Sequence, residues 1–188
     1  SVRGVSLGSI SYYNMFQDTK GKLWIGAENE GLIGYDIKTQ ELRQFKSSAG
    51  DPSTLPHDDV MCFYGDKDGY IWLGTYGGGL SRFDPITSTF KNYSTKDGLP
   101  SSSVYSIFED EQGHLWMSTN NGLSRFNRTT EAFKNFDIAD GVLSKEFNPA
   151  ACQLDDGWIY LGGVRGITFF KPGQIKSNGN IPDLRFTD

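Results

Sequence analysis

Three carboxylates stand at one recurring spacing: Asp18, Asp66 and Asp110 each lie three residues before a glycine, Gly21, Gly69 and Gly113. Carboxylates that converge on one bond can divide acid and base duty between them. These three recur once per copy of one local pattern, which puts them at the same turn of separate units. An aspartate in such a turn bonds the backbone N–H groups that follow it, and turn stabilisation is the expected role. Gly77-Gly78-Gly79 has the composition of a phosphate cradle. It joins two strand-like runs and opens no helix, so it lacks the helix N-terminus such a cradle uses and reads as a hairpin turn. Two histidines, His57 and His114, and two cysteines, Cys62 and Cys152, are too few for a zinc centre or a disulfide scaffold. No metal and no cofactor are expected. His57, beside Asp58 and Asp59, reads as a solvated loop histidine. The cysteines read as two buried free thiols on strands two units apart, beyond bridging range.

Trp24, Trp72, Trp116 and Tyr160 have the chemistry to stack on sugars, but they are spaced by 48, 44 and 44 residues inside strand-like runs. A fixed register of this kind points to core packing, and all four are expected at equivalent buried sites. Other features keep the same step. Gly31-Leu32, Gly79-Leu80, Gly122-Leu123 and Gly166-Ile167 are each followed three residues later by Tyr35, Phe83, Phe126 or Phe170. Leu7, Leu55, Leu99 and Leu143 stand nine residues before Phe16, Tyr64, Phe108 and Cys152. The fourth copy puts Leu154 where the others have aspartate. A period of roughly 40–50 residues, rich in Gly and aromatics, is that of four-stranded propeller blades. The third copy divides by alternation and turn residues into strands 104–109, 115–119, 123–126 and 133–136. Leu115 and Met117 then share one face of the blade and Trp116 takes the other.

The fold class is therefore all-β: a propeller fragment of four consecutive four-stranded blades. Blade boundaries fall near 1–48, 49–93, 94–137 and 138–175 within a region spanning 1–175. Fourth strands are expected at 42–45, 90–93 and 133–136, with no helix longer than about two turns. After Phe170 the chain runs into Pro172-Gly173 and Ser177-Asn178-Gly179-Asn180, and no fourth strand follows in register. The 188 residues carry a net charge of −5, with 18 Lys and Arg against 23 Asp and Glu, which offers no footprint for a phosphate backbone. Nucleic acid is not an expected partner. No apolar run approaches the roughly 18 residues that cross a bilayer, so direct membrane contact by this piece is not expected either.

The run Asp66-Lys67-Asp68-Gly69-Tyr70-Ile71-Trp72-Leu73-Gly74-Thr75, continuing through Gly78-Gly79-Leu80-Ser81-Arg82-Phe83-Asp84-Pro85, resembles the two-component regulator propeller repeat. The third copy repeats it with Ser118 in place of the usual Gly, and the fourth is similar to the closing blade that precedes an immunoglobulin-like segment in such sensors. The resemblance implies a periplasmic, extracytoplasmic sensor region of a hybrid histidine kinase of the Bacteroides type, often responsive to carbohydrates. It makes 176–188 a linker toward a following segment not present here.

Propeller geometry puts the loops before the inner strands and the loops between second and third strands on one face, where function concentrates. These segments present Asn29, Glu30, His57, Asp58, Tyr76, Ser102, Asn120, Asn121, Glu146, Asn148 and Arg165 as candidate ligand-binding residues. The set suits a polar ligand such as an oligosaccharide, bound without chemistry, and no catalytic residue is assigned. A non-catalytic protein-interaction scaffold is the alternative. A glycan hydrolase or lyase comes third. The repeats have some likeness to the Asp-box of sialidases, yet Asp66 lies three residues before Gly69 where that box has two, and no arginine cluster accompanies it. Four blades leave two bare faces, so two copies are expected to pair as a homodimer and complete a ring of about eight blades.

Overall fold

A computed structural model describes residues 11–175 of the chain. Strands β1 (Tyr12–Gln17), β2 (Lys22–Ala27), β3 (Gly31–Asp36) and β4 (Leu42–Phe45) form the first antiparallel sheet in that order. The second comprises β5 (Val60–Gly65), β6 (Ile71–Thr75), β7 (Leu80–Asp84) and β8 (Thr89–Tyr93). The third comprises β9 (Val104–Glu109), β10 (Leu115–Thr119), β11 (Gly122–Asn127) and β12 (Ala132–Phe136). The fourth holds β13 (Phe147–Gln153), β14 (Ile159–Gly163) and β15 (Gly166–Phe170). This is an all-β run of four propeller blades whose only helical pieces among the described residues are three-residue 3₁₀ turns. The last blade has three strands among the described residues, because Pro172 opens one of those turns where a fourth strand would start. The expected linker at 176–188 and the first-copy Leu7 lie outside the described residues.

Inner strands β1, β5, β9 and β13 lie side by side in chain order. Each blade therefore has a leading face toward the blade before it and a trailing face toward the blade after it. The trailing face of blade 1, with Phe16, Trp24, Leu32 and Phe45, packs on Ile71, Leu73, Phe83 and Phe90 of blade 2. Blade 2 repeats this with Tyr64, Trp72, Leu80 and Tyr93 against Ile107, Leu115, Met117 and Phe126. Blade 3 does so with Trp116, Leu123 and Phe136 against Ile159, Leu161 and Phe170. In each case an indole meets a phenyl ring of the following blade: Trp24 with Phe83 at 5.1 Å, Trp72 with Phe126 at 5.6 Å, Trp116 with Phe170 at 5.0 Å. All three tryptophans are 1% exposed. Tyr160 holds the same register but is only half-buried, stacked on the exposed Phe169 at 5.7 Å. The expectation of a fourth equivalent buried site is corrected here, since no following blade covers it among the described residues.

The recurring aspartate does more than hold its turn. One oxygen of Asp66 accepts the N–H groups of Asp68 and Tyr70, both at 3.0 Å, while the other accepts the indole N–H of Trp72 at 2.8 Å. Asp18 serves Trp24 and Asp110 serves Trp116 in the same way. A buried indole N–H needs an acceptor, which is why the fourth copy loses both groups together, with Leu154 replacing the acid and Tyr160 the indole. A cation completes each trio from above the ring: Lys22 over Trp24, Arg82 over Trp72, Arg125 over Trp116. In blade 1 the cation comes from β2 instead of β3, and Gly34 makes room, since a Cβ there would stand 2.7 Å from the Trp24 ring.

Burial works against the charge of Asp110, but the Trp116 indole, the His114 N–H and the adjacent imidazole outweigh it and hold the carboxyl below its ordinary 3.8. A depressed folded-state value gives stability that is complete above the ordinary value and is lost as pH falls through the folded-state one. Asp110→Asn is expected to lower stability at neutral pH and flatten its decline below about pH 4. Urea unfolding at stepped pH checks this, and parallel acid profiles for the two proteins contradict it.

Candidate functional site

The loops before the inner strands and those after each second strand are laced together at one end of the blades, as the sequence reading expects. Gly31 N–H donates to Asp58 O at 2.7 Å, Tyr76 N–H to Asp59 O at 2.9 Å, and Gly77 and Gly79 N–H to Ser102 O at 3.0 and 2.7 Å. Further along, Gly122 N–H donates to Lys145 O and Val164 N–H to Glu146 O. Gly77-Gly78-Gly79 is thus a loop pinned to the next blade, with Gly77 and Gly79 in the left-handed region at φ 115° and 85°.

Several candidate side chains are used within this lacing. Asn29, at φ 57°, is held by its backbone, its main-chain N–H donating to Asp59 Oδ1 and its main-chain carbonyl accepting from Lys46, and its side chain is left exposed. Glu30 pairs with Lys46 at 3.0 Å and with Gln44. Asp58 caps the Ser47 N–H at 2.7 Å, Asn121 donates to Pro100 O, and Asn148 accepts the Ala150 N–H. His57 has its side chain 40% exposed and its Nδ1 accepts the Asp59 N–H at 3.1 Å, so it is a partly solvated histidine held within the loop. The side chains of Tyr76, Ser102, Asn120, Glu146 and Arg165 are exposed and free of such duties.

Tyr76 anchors what the sequence reading did not find. Its ring, 52% exposed, lies 6.4 Å from that of Tyr105 near the start of β9. Tyr13, 40% exposed near the start of β1, joins them. Partial burial raises the Tyr13 hydroxyl pKa, and the charges of Asp59 and Glu28 and the Tyr76 hydroxyl add to it. Burial, then Tyr76, raises that of Tyr105, with Glu146 contributing in the same direction. Three tyrosines and the carboxylates of Glu28, Asp59 and Glu146 thus share one patch spanning blades 1 to 4. No lysine or arginine among the described residues pairs with these carboxylates; Asp59 accepts the Asn29 N–H and has the His57 imidazole 3.8 Å away. Tyr13 and Tyr105 occupy matching positions three residues before Phe16 and Phe108, but Met61 holds that position in blade 2.

At the opposite end, a cleft of about 570 Å³ opens between blades 2 and 3. Its inner carboxylates are engaged: Asp66 and Glu109 by Arg128, Glu109 also by the Tyr64 hydroxyl, Asp110 by His114 and Trp116. This is a clamp between blades, with none of those three acids left to act on a bound molecule. Of the thiols, Cys62 is buried, which pushes its pKa up to about 12, and Cys152 is exposed; both are free. The expectation of two buried thiols fails at Cys152, which pairs in register with Tyr160 on the same uncovered face.

Residues 6–29, 54–77 and 98–121 match the family described as Two component regulator propeller. These are two component regulator propeller repeats. Each matched segment contains an inner strand and the second strand after it, and so contains the acid–indole pair. A curated relative, Histidine kinase P4 from Formosa agariphila, is 28% identical over 88 residues, which are 46% of this chain and 6% of that protein. The extracellular domain of a putative one component system from B. thetaiotaomicron superposes with a TM-score of 0.75 at 19% identity, over 88% of this chain and 23% of that one. The extracellular domain of a putative hybrid two component system from the same organism gives 0.60 at 19%, over 90% and 29%. The chain therefore spans a small part of each, and the structural likeness at this identity concerns the fold. No helix among the described residues is long and apolar enough to cross a membrane.

Proposed function

We propose that these regulator-type blades belong to the extracytoplasmic, periplasmic part of a two-component sensor, and that their loop face binds a carbohydrate or similar polar ligand without altering it, occupancy being passed to a histidine kinase. The observation that carries this reading is the patch of Tyr13, Tyr76 and Tyr105 beside Glu28, Asp59 and Glu146. Aromatic rings offer flat apolar surface to the C–H faces of a sugar, and the carboxylates of Glu28 and Glu146 accept its hydroxyls with the strength of charge-assisted bonds. Such a mix of apolar walls and a few convergent polar groups is the usual make-up of a small-ligand site. The repeats' family and the extracellular relatives support the sensing role and the placement outside the cytoplasm.

Calorimetric titration of the chain with defined oligosaccharide mixtures, followed by chromatography of the recovered sugars, tests the reading. Saturable binding with sugars returned intact is expected. Shortened or unsaturated products would replace it with the hydrolase or lyase reading. A loop face that binds none of them but retains a protein partner would favour the interaction scaffold.

A further inference from the structure

The tyrosine patch is built on repeat positions, and its tyrosine–acid pairing recurs at alternate seams. Asp59 in blade 2 and Glu146 in blade 4 both stand just before an inner strand, where their carbonyls accept the N–H of Tyr76 at 2.9 Å and of Val164 at 3.1 Å. Tyr13 and Tyr105 stand second in the inner strands of blades 1 and 3. Each tyrosine meets the acid of the following blade: the Asp59 charge bears on the Tyr13 hydroxyl and that of Glu146 on Tyr105. The seam between blades 2 and 3 has Met61 and Ser103 at these positions. There Tyr76 supplies the ring, 6.4 Å from that of Tyr105.

Both kinds of group in this row favour positive charge. A tyrosine face attracts cations through its ring quadrupole, and carboxylates do so directly while repelling anions. Basic side chains of the same loops are turned elsewhere, Lys46 to Glu30 and Lys145 to Asp137, and Arg165, exposed in the turn of blade 4, pairs with none of the three acids. Blades stack as sheets do, about 10 Å apart, so the two tyrosine–acid pairs are separated by up to roughly 20 Å, more than one sugar ring covers. Resting on the glycan-sensing reading above, we propose that the ligand is an oligosaccharide bearing protonated amino groups. Its sugar faces lie along Tyr13, Tyr76 and Tyr105, its amines stand against the acids at the two ends, and oligomers of acidic sugars are turned away.

Calorimetric titration of the chain at pH 6 with tetramers of glucosamine, N-acetylglucosamine and galacturonic acid, and with the glucosamine dimer, tests this. The glucosamine tetramer is expected to bind about tenfold tighter than the N-acetylated tetramer and than the dimer, through charge-assisted bonds at both ends. The galacturonate tetramer is expected not to bind. Raising the salt from about 0.05 to about 0.5 M shrinks the advantage of the amine, since exposed charges are screened. Glu28→Gln combined with Glu146→Gln is expected to bring the glucosamine and N-acetylglucosamine tetramers within about twofold of each other. Equal or tighter binding of the N-acetylated or galacturonate tetramer, a dimer as tight as the tetramer, or a preference that survives both substitutions overturns the proposal and leaves the glycan-sensing reading standing. So does binding of some other neutral oligosaccharide with none of the glucosamine tetramer. A loop face that binds no oligosaccharide of any class overturns both.

Discussion

Trp72→Ala is expected to destabilise the protein by about 3–5 kcal/mol, in the range of other large core aromatics cut to alanine. Trp72 is 1% exposed and packs on Tyr93 and Phe126, so its removal empties the seam between blades 2 and 3. It also strips Asp66, itself 8% exposed, of its indole donor, leaving a carboxylate oxygen to Arg128 alone. A buried acceptor that loses its partner adds about 1–3 kcal/mol to a loss of packing. Tyr160→Ala at the matching position of blade 4 is expected to cost under about 1.5 kcal/mol, because that side chain is only partly buried and has no following blade packed on it among the described residues. Denaturant unfolding of both variants checks the contrast; a loss below about 1 kcal/mol for Trp72→Ala, or equal losses for the pair, contradicts it.

Gly74→Ala is expected to lower the melting temperature by several degrees. A Cβ at Gly74 would stand 2.8 and 2.9 Å from Cγ1 and the carbonyl oxygen of Val104, and would also meet Cys62 Sγ. Val104 begins the inner strand of the next blade, so relief requires the two blades to part. Overpacking of a tight core costs about 1–3 kcal/mol, and for a domain of this size that is roughly 2–12 °C. Gly26 stands in the same relation to Val60. The third copy tolerates Ser118 at this position because its hydroxyl bonds that of Ser106 at 2.6 Å. Scanning calorimetry decides: a midpoint within about 1 °C of the unaltered protein would show that the inner strands are not held at this distance.

The repeat was legible in the sequence because every blade meets the same packing problem with the same residues. Inner strand 104–109, second strand 115–119 and, among the described residues, the lack of a strand after Phe170 all emerge from that register. Burial was legible only where the neighbour is itself a repeat. Tyr160 and Cys152 carry core-like patterning, and their exposure follows from the lack of a covering blade among the described residues. The acid–indole bond was available as a fixed six-residue spacing, from Asp18 to Trp24, Asp66 to Trp72 and Asp110 to Trp116, and as joint loss at Leu154 and Tyr160. Reading the aspartates as turn residues accounted for one oxygen and left the other unassigned.

The loops before the inner strands and after the second strands gather at one end of the blades, as the repeat geometry implies, but loop position did not tell which side chains remain available. Glu30, Asp58 and Asn121 are taken up by contacts between loops and Asn148 by a backbone N–H of its own strand, uses that leave no mark in composition. Tyr13 and Tyr105 were missed because they belong to strands, whose alternation reads as core. Their rings emerge near the strand starts, at the loop end, where the alternation no longer means burial.

The central claim is that the loop face, with Tyr76 at its middle, is where this protein meets its ligand. Hydrogen exchange with and without the tightest-binding oligosaccharide tests it most directly. The account predicts added protection at 57–59, 76–79 and 102–105, abolished in Tyr76→Ala, with no change in the turn-end cleft at 66–70 and 110–114. Protection confined to that cleft, or binding undiminished in Tyr76→Ala, would contradict it.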